Sequence, residues 1–92
     1  MYMSMKTRQL ERVIKGFSSH RRLDILELLQ RKPELSVEEI AEELQIGYLN
    51  TSDHIRKLAI AGLVLKRSDG KSVRHKLTPR AKVVLTFCKT LE

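Results

Sequence analysis

The apolar residues of this 92-residue chain first change their spacing at Gly62, and that change limits the folds open to the chain. Before this glycine they recur every three to four residues, which is typical of amphipathic helices. Beyond it, residues 63–67 and 72–77 have the pattern of strands, and Asp69-Gly70 between them is a strong hairpin signal. Helical spacing resumes after Thr78-Pro79. The sequence therefore predicts a mainly α domain with one small β-hairpin.

Local signals divide the helical part into four helices and add one after the hairpin. The first covers about residues 4–17, and the second follows the N-cap candidates Ser18-Ser19 and stops before Pro33. Ser36 with a glutamate three residues later forms a capping box for a short third helix, residues 37–44. The fourth helix runs over about 48–61, and the last begins at Thr78-Pro79. The predicted order is α-α-α-α-β-β-α.

Size and composition exclude several classes of protein. A chain of this length is expected to form one domain, residues 1–92. Its apolar runs are too short to span a membrane, and its N-terminus lacks an apolar stretch of the signal-peptide kind, so we expect a cytoplasmic protein. A lone cysteine forms neither an internal disulfide nor a Cys-rich metal cage. No nucleophile–base pair or phosphate-binding glycine loop is recognisable, so an enzyme is not expected, and neither is a cofactor.

The positive charge is unevenly distributed along the chain. Residues 1–32 carry a net +5, residues 33–49 a net −5, and residues 50–92 a net +7, which together give the formal +7 of the protein. A total of this kind suggests a polyanionic partner but specifies no fold. The position of the acidic block, on the third helix and the loop before it, is more informative than the total.

The sequence has the pattern of a helix-turn-helix (about 37–61) with a wing (about 63–77). Two short helices are joined by a tight turn at residues 45–47, and a basic hairpin follows them. The fourth helix is then the one that enters the major groove of DNA. If Thr51, Ile55, Leu58 and Ala59 face inward, the roughly 100° step of a helix places other residues of this helix on its outward side or on its flanks. These candidate DNA contacts are Asn50, Ser52, Asp53, His54 and Lys57.

The wing carries five cations, and in the sequence only Asp69 opposes them. A solvated charged surface is the ordinary explanation for such a run, but beside a helix-turn-helix we favour contact with DNA phosphates. His75 faces inward and is expected to be a packed core histidine. The five candidate phosphate contacts are Lys66, Arg67, Lys71, Arg74 and Lys76.

Asp53 is unusual on a surface that is expected to face phosphates. Its carboxylate could accept a hydrogen bond from cytosine N4. Alternatively, it could stabilise the positive end of the helix dipole, and we favour this second interpretation.

Five segments, in this order, resemble the winged-helix repressors of the ArsR type. They are SHRRLDILELL at 19–29, VEEIAEEL at 37–44, TSDHIRKL at 51–58, AGLV at 61–64 and RSDGK at 67–71. The sequence LTPR at 77–80 is similar to the wing-to-helix junction of MarR-like regulators. The resemblance implies a homodimer, joined largely through the first and last helices, that binds an operator with dyad symmetry. Apolar residues of those helices are the interface candidates: Leu10, Ile14, Val84, Phe87 and Leu91.

The chain departs from that family pattern at two places. Metal-sensing members have a Cys-x-Cys pair where this chain has Ser36-Val37-Glu38, and others use Asp and His ligands on the last helix, where residues 79–92 contain neither. A metal switch is therefore not expected. Asp53 stands where members often have a basic residue, which leaves the target sequence open.

The sequence thus predicts a DNA-binding transcriptional regulator, a dimeric repressor whose partner is double-stranded DNA. A winged-helix adaptor that binds another protein through Asp53 and the acidic block is the alternative. Cys88 is expected to be a small packed hydrophobe, although a thiol switch at the dimer interface is a sharper possibility. The sequence specifies neither the operator nor an effector.

Overall fold

A computed structural model describes residues 5–92, and its elements follow the predicted order α-α-α-α-β-β-α, as a winged helix-turn-helix. The predicted first residue of the first helix, Ser4, lies outside the described residues. No helix in residues 5–92 is long and apolar enough to cross a lipid bilayer. The elements are α1 (Thr7–Phe17), α2 (His20–Arg31), α3 (Val37–Leu44), α4 (Tyr48–Ile60), β1 (Val64–Asp69), β2 (Ser72–Leu77) and α5 (Pro79–Thr90).

The hydrophobic core is built around α2, whose buried side chains are at most 2% exposed. Side chains of α3, α4 and α5 pack on this helix, and the base of the hairpin completes the core. Burial of a large aliphatic side chain stabilises a fold by about 1.5–3 kcal/mol, so this cluster supplies the main stabilising term. Its largest members are Ile25, Leu26, Leu28, Leu29, Ile40, Ile55, Leu58 and Leu63.

The connection between α3 and α4 is fixed by hydrogen bonds close in sequence. The predicted capping box is present: the Glu39 N–H donates to Ser36 Oγ at 3.2 Å, and the Ser36 N–H donates to Glu39 Oε1 at 2.8 Å. After α3 the chain reverses at Gln45, which has a left-handed φ of 56°. Gly47, the N-cap of α4, has an ordinary φ of −62°, so it is not the residue that makes the reversal. Thr51 Oγ1 donates to the Gly47 carbonyl at 2.8 Å and joins the turn to the core.

The hairpin differs from its prediction by one residue. Asp69 pairs with Ser72, so the two turn residues are Gly70 and Lys71 rather than Asp69 and Gly70, and β1 covers 64–69 instead of 63–67. Gly70 alone needs a positive φ here, 63°, whereas a turn centred on Asp69-Gly70 would also force Asp69 into that region. Upstream, α4 ends at Ile60, one residue earlier than expected. Gly62, after the end of α4, has a left-handed backbone with a φ of 75°.

His75 joins the hairpin to the loop between α2 and α3, and it is buried as predicted, with 1% of its surface exposed. Its backbone N–H donates to the Leu35 carbonyl at 3.0 Å, and its Nδ1 lies 2.8 Å from the same oxygen. The Glu34 N–H donates in turn to the His75 carbonyl at 2.9 Å. The wing is therefore held against the acidic part of the chain.

Candidate nucleic-acid interface

Helix α4 turns one face into the core and the other into solvent. Thr51, Ile55 and Leu58 are at most 1% exposed, which confirms three members of the inward face expected from the sequence. The fourth, Ala59, is half-buried. Of the predicted DNA contacts, Asn50 and Lys57 are exposed; the other three, Ser52, Asp53 and His54, are half-buried. These five side chains therefore lie on the outward and flanking sides of one helix, which α3 and α2 support from behind.

Asp53 is neutralised by its own helix. Arg56 Nη2 donates to Asp53 Oδ1 at 2.7 Å, and Lys57 Nζ lies 3.3 Å from Oδ2. These two cations lower the pKa of the Asp53 carboxyl. The interpretation favoured above, stabilisation of the helix N-terminus, is wrong: Asp53 lies beyond the first turn of α4, which contains no acidic residue, and the dipole effect is confined to that turn. One carboxylate with two cations leaves this surface with a net positive charge.

His54 is engaged by Arg22, at the N-terminal end of α2. Arg22 Nε donates to His54 Nδ1 at 3.2 Å, so Nε2 is the ring nitrogen that carries the proton. Burial, reinforced by the Arg22 charge, lowers the pKa of His54. Arg22 Nη1 also donates to the carbonyls of Lys15 and Gly16, at 3.1 and 3.3 Å. Contact between His54 and DNA stays a prediction, and it would involve the Nε2–H.

Two of the five wing cations are paired with acidic residues from outside the wing. Arg67 Nε donates to Glu34 Oε1 at 3.0 Å, and this bond raises the pKa of Arg67. Arg74 Nη1 donates to Glu39 Oε1 at 3.2 Å, while its Nε lies 3.5 Å from Asp69 Oδ2. Asp69 is the only acidic residue of the hairpin itself, but Glu34 and Glu39 also oppose the wing cations, because the acidic block folds against the hairpin.

The remaining wing cations are three exposed lysines with no carboxylate partner in residues 5–92: Lys66, Lys71 and Lys76. They do not form one patch. Lys66 is opposite His75 in the ladder and shares its side of the hairpin, since paired residues of antiparallel strands face the same way. Lys76 lies on the other side with the two arginines, and Lys71 is in the turn. Within the described residues, the positive charge of the wing that is not paired with a carboxylate thus belongs to its lysines.

Helices α1 and α5 form an apolar groove of about 390 Å³ on the surface. Of the interface candidates, Ile14, Phe87 and Leu91 are exposed, by 46%, 53% and 70%, and Leu10 is half-buried. Val84 is only 8% exposed and belongs mainly to the core of its own chain. Val83, which was not among the candidates, is 69% exposed. Its position four residues before Phe87 was the signal that could have identified it.

Cys88 is half-buried against the core, as expected for a small packed hydrophobe. Residues 5–92 contain no group of three side chains able to hold a metal ion.

Two large apolar side chains are exposed at the start of α4: Leu49 is 80% exposed and Tyr48 is 51% exposed. Neither was among the DNA contacts predicted from the sequence, which on this helix were all polar or charged residues. The helical angle of Leu49, about 160° from Thr51, would have placed it outside.

Comparison with known proteins agrees with this geometry. HlyU from Vibrio cholerae is 28% identical, with a TM-score of 0.81 over 97% of each chain. A homodimeric winged helix-turn-helix DNA-binding domain from Mycobacterium bovis, described as a possible ArsR-family transcriptional regulator, is 26% identical. Its TM-score is 0.79 over 99% of this chain and 88% of that one.

A MarR transcriptional regulator from Methanosarcina mazei is 24% identical, with a TM-score of 0.74 over 90% of this chain and 57% of that one. At that identity the likeness concerns the fold alone. The model of the family described as "Bacterial regulatory protein, arsR family" matches residues 19–66, more than half of the chain. The chain therefore belongs to the arsR family, which consists of transcriptional regulators rather than enzymes.

Proposed function

We propose that this protein is a homodimeric repressor that binds a specific DNA sequence. In each protomer α4 enters the major groove and the wing follows the adjacent phosphate backbone. The observation that carries the proposal is the outward face of α4, which α3 supports from behind, together with a hairpin whose three lysines have no carboxylate partner in residues 5–92. A side chain at a base edge needs such a rigid, uncovered helix. The protein would act in the compartment that holds the genome, the cytoplasm.

The dimeric part of the proposal rests on the groove between α1 and α5. A large exposed apolar surface is costly in water and marks a site of association. The related domain from Mycobacterium bovis is described as homodimeric. Two α4 helices related by a dyad would read half-sites whose centres lie about 34–36 Å apart, one turn of the double helix.

The DNA-binding part is tested by selecting sequences from a random oligonucleotide pool with the purified protein. We expect a palindromic site to be enriched, and its affinity, measured by fluorescence anisotropy, to fall with salt. Each phosphate contact contributes about 0.9 to the slope of log K against log salt. Lys71→Gln and Lys76→Gln should each reduce that slope. Lys89→Gln, on α5 and outside the helix-turn-helix and the wing, is the matched control and should leave it unchanged.

Absence of any enriched sequence, together with affinity independent of salt, would contradict DNA binding and leave the protein–protein adaptor as the better explanation. Repression is tested separately, by placing the selected site over a promoter in a purified transcription system. We expect less transcript with the protein than without it. More transcript would identify an activator instead.

The dimer is tested by solution mass, from sedimentation or light scattering. Phe87→Asp places a charge in the apolar groove and should give a monomer. Leu65→Asp is the control, because Leu65 is similarly exposed (57%, against 53% for Phe87) but lies on the wing. A wild-type protein that stays monomeric at all concentrations would refute the dimer, and a monomeric Leu65→Asp variant would refute the location of the interface.

A further inference from the structure

Leu49 has the largest exposed fraction, 80%, of the large apolar side chains in the described part of the chain. It does not belong to the hydrophobic core cluster, and it lies on neither α1 nor α5, so it has no part in the apolar groove. A single exposed leucine is common on protein surfaces and needs no special explanation. The position of this one, however, coincides with the functional end of α4.

Leu49 is the second residue of α4. With 3.6 residues per turn it points about 160° away from the buried Thr51, almost straight out of the domain. It lies one turn before Asp53, on the same outward line. In a helix-turn-helix the residues at the N-terminal end of the second helix are those that contact base edges. If α4 enters the major groove as proposed, Leu49 is therefore among the first side chains to meet the bases.

The groups around Leu49 also favour DNA over an apolar protein partner. Further along the same helix, Arg56 and Lys57 outnumber the one carboxylate, Asp53, with which they pair. Asn50 next to Leu49 is exposed and able to form hydrogen bonds with a base. Leu49 thus lies beside the polar Asn50, on a helix whose cations follow about two turns further along. Such a helix matches a surface that is anionic at its edges and has small apolar features between them.

The chemistry of the major groove offers leucine one kind of partner. The base edges there present hydrogen-bond donors and acceptors, together with the C5-methyl group of thymine. A leucine side chain cannot hydrogen-bond, so it gains only by covering that methyl group. We propose that Leu49 is a specificity-determining residue that packs on the thymine C5-methyl group in each half-site. This inference rests on the proposed DNA-binding function.

The test replaces thymidine with deoxyuridine, whose base lacks the C5-methyl group but forms the same base pair with adenine. In the DNA site selected by the wild-type protein, each thymine is replaced in turn, together with its dyad mate. At one position per half-site we expect a loss of affinity of about fourfold for each methyl group removed, the factor for burial of one methylene-sized group. At the other thymines we expect no change.

Leu49→Ala should weaken binding to the thymine site and abolish the discrimination between thymine and deoxyuridine. Ile60→Ala is the matched control, because Ile60 is on the same outward side of α4 and is 65% exposed, but it lies at the opposite end of the helix. This control should retain the full discrimination. Both side chains are exposed, so both variants should melt at the wild-type temperature, which establishes that they are folded.

The outcomes separate the inference from the function on which it rests. If the wild-type protein binds its selected site but no thymine replacement alters affinity, Leu49 does not read a methyl group. The same holds if Leu49→Ala keeps the discrimination. If no DNA is bound at all, the proposed function fails and the inference fails with it. If the site is bound normally by Leu49→Ala and the variant loses a protein partner instead, Leu49 belongs to a protein interface.

Discussion

The contact between Gly16 and Ala61 offers the sharpest test of how the first helix is attached. Gly16 lies near the end of α1 and is buried. A Cβ atom built on it would be 2.3 Å from the Cβ of Ala61, the residue that follows α4. Carbon atoms in van der Waals contact are about 3.5–4.0 Å apart, so Gly16→Ala forces the two helices to separate by more than an ångström. The hydrogen bond from Arg22 to the Gly16 carbonyl resists that movement.

Two effects of opposite sign determine the magnitude. Helix propensity alone favours alanine over glycine in a helix by about 1 kcal/mol. Overpacking of a tight contact costs about 1–3 kcal/mol. Because the clash is between two Cβ atoms fixed to backbone, we expect the larger end of this range and a net destabilisation of about 1–2 kcal/mol. For a domain of this size that corresponds to a melting temperature lower by roughly 4–8 °C for each kcal/mol.

The assay is thermal and urea unfolding followed by circular dichroism, with all variants at one protein concentration because a dimer is stabilised by mass action. The double variant Gly16→Ala/Ala61→Gly removes the opposing Cβ and should recover most of the lost stability. A coupling free energy of about 1 kcal/mol or more is expected between the two positions. A Gly16→Ala variant as stable as the wild type, or more stable, would show that propensity decides and would refute the close approach of α1 to α4.

Three further changes test the cap, His75 and the wing. Ser36→Ala should lower the free energy of unfolding in urea by about 1 kcal/mol, and an unchanged midpoint would contradict the capping role. Burial lowers the pKa of His75 and of His54. As the pH falls, the unfolded chain therefore takes up protons before the folded one, and the free energy of unfolding should decrease below about pH 6.5, the pKa of an unfolded histidine. His75→Gln should make this pH dependence shallower in melts recorded at several pH values. An equally steep dependence in the variant would exclude His75 as its cause. Arg67→Gln should reduce the salt dependence of DNA binding less than Lys71→Gln, because Arg67 already pairs within the protein; equal reductions would mean that DNA displaces this pair.

The order of elements was predictable because several boundaries are marked by local signals. Ser36 and Glu39 satisfy each other's backbone groups within four residues, and Thr78 caps α5 by accepting from the Ala81 N–H at 3.2 Å. Gly62 reverses the chain through its own backbone freedom. None of these features needs information from distant parts of the chain.

The features that the sequence did not reveal depend on residues far apart along the chain. The partners of Arg67 and Arg74, Glu34 and Glu39, are 33 and 35 positions away, and no periodicity connects them. The shift of the turn to Gly70 depends on strand register, which the base of the hairpin sets through its contact with the core.

The proposed DNA-binding surface is mechanically joined to the proposed dimer surface. Arg22 donates to the last carbonyls of α1 and also to His54 on α4, so one side chain holds both helices. Gly16 of α1 packs on Ala61, just beyond the C-terminal end of α4. The end of α1 is therefore linked to the middle of α4 through Arg22 of α2, and it contacts Ala61, the residue after α4, directly. In a dimer built through α1 and α5, the position of α1 determines the distance between the two α4 helices. A shift of α1 must either move α4 with it or break these contacts. Gly16→Ala should accordingly lower the affinity for a palindromic site more than the affinity for a single half-site.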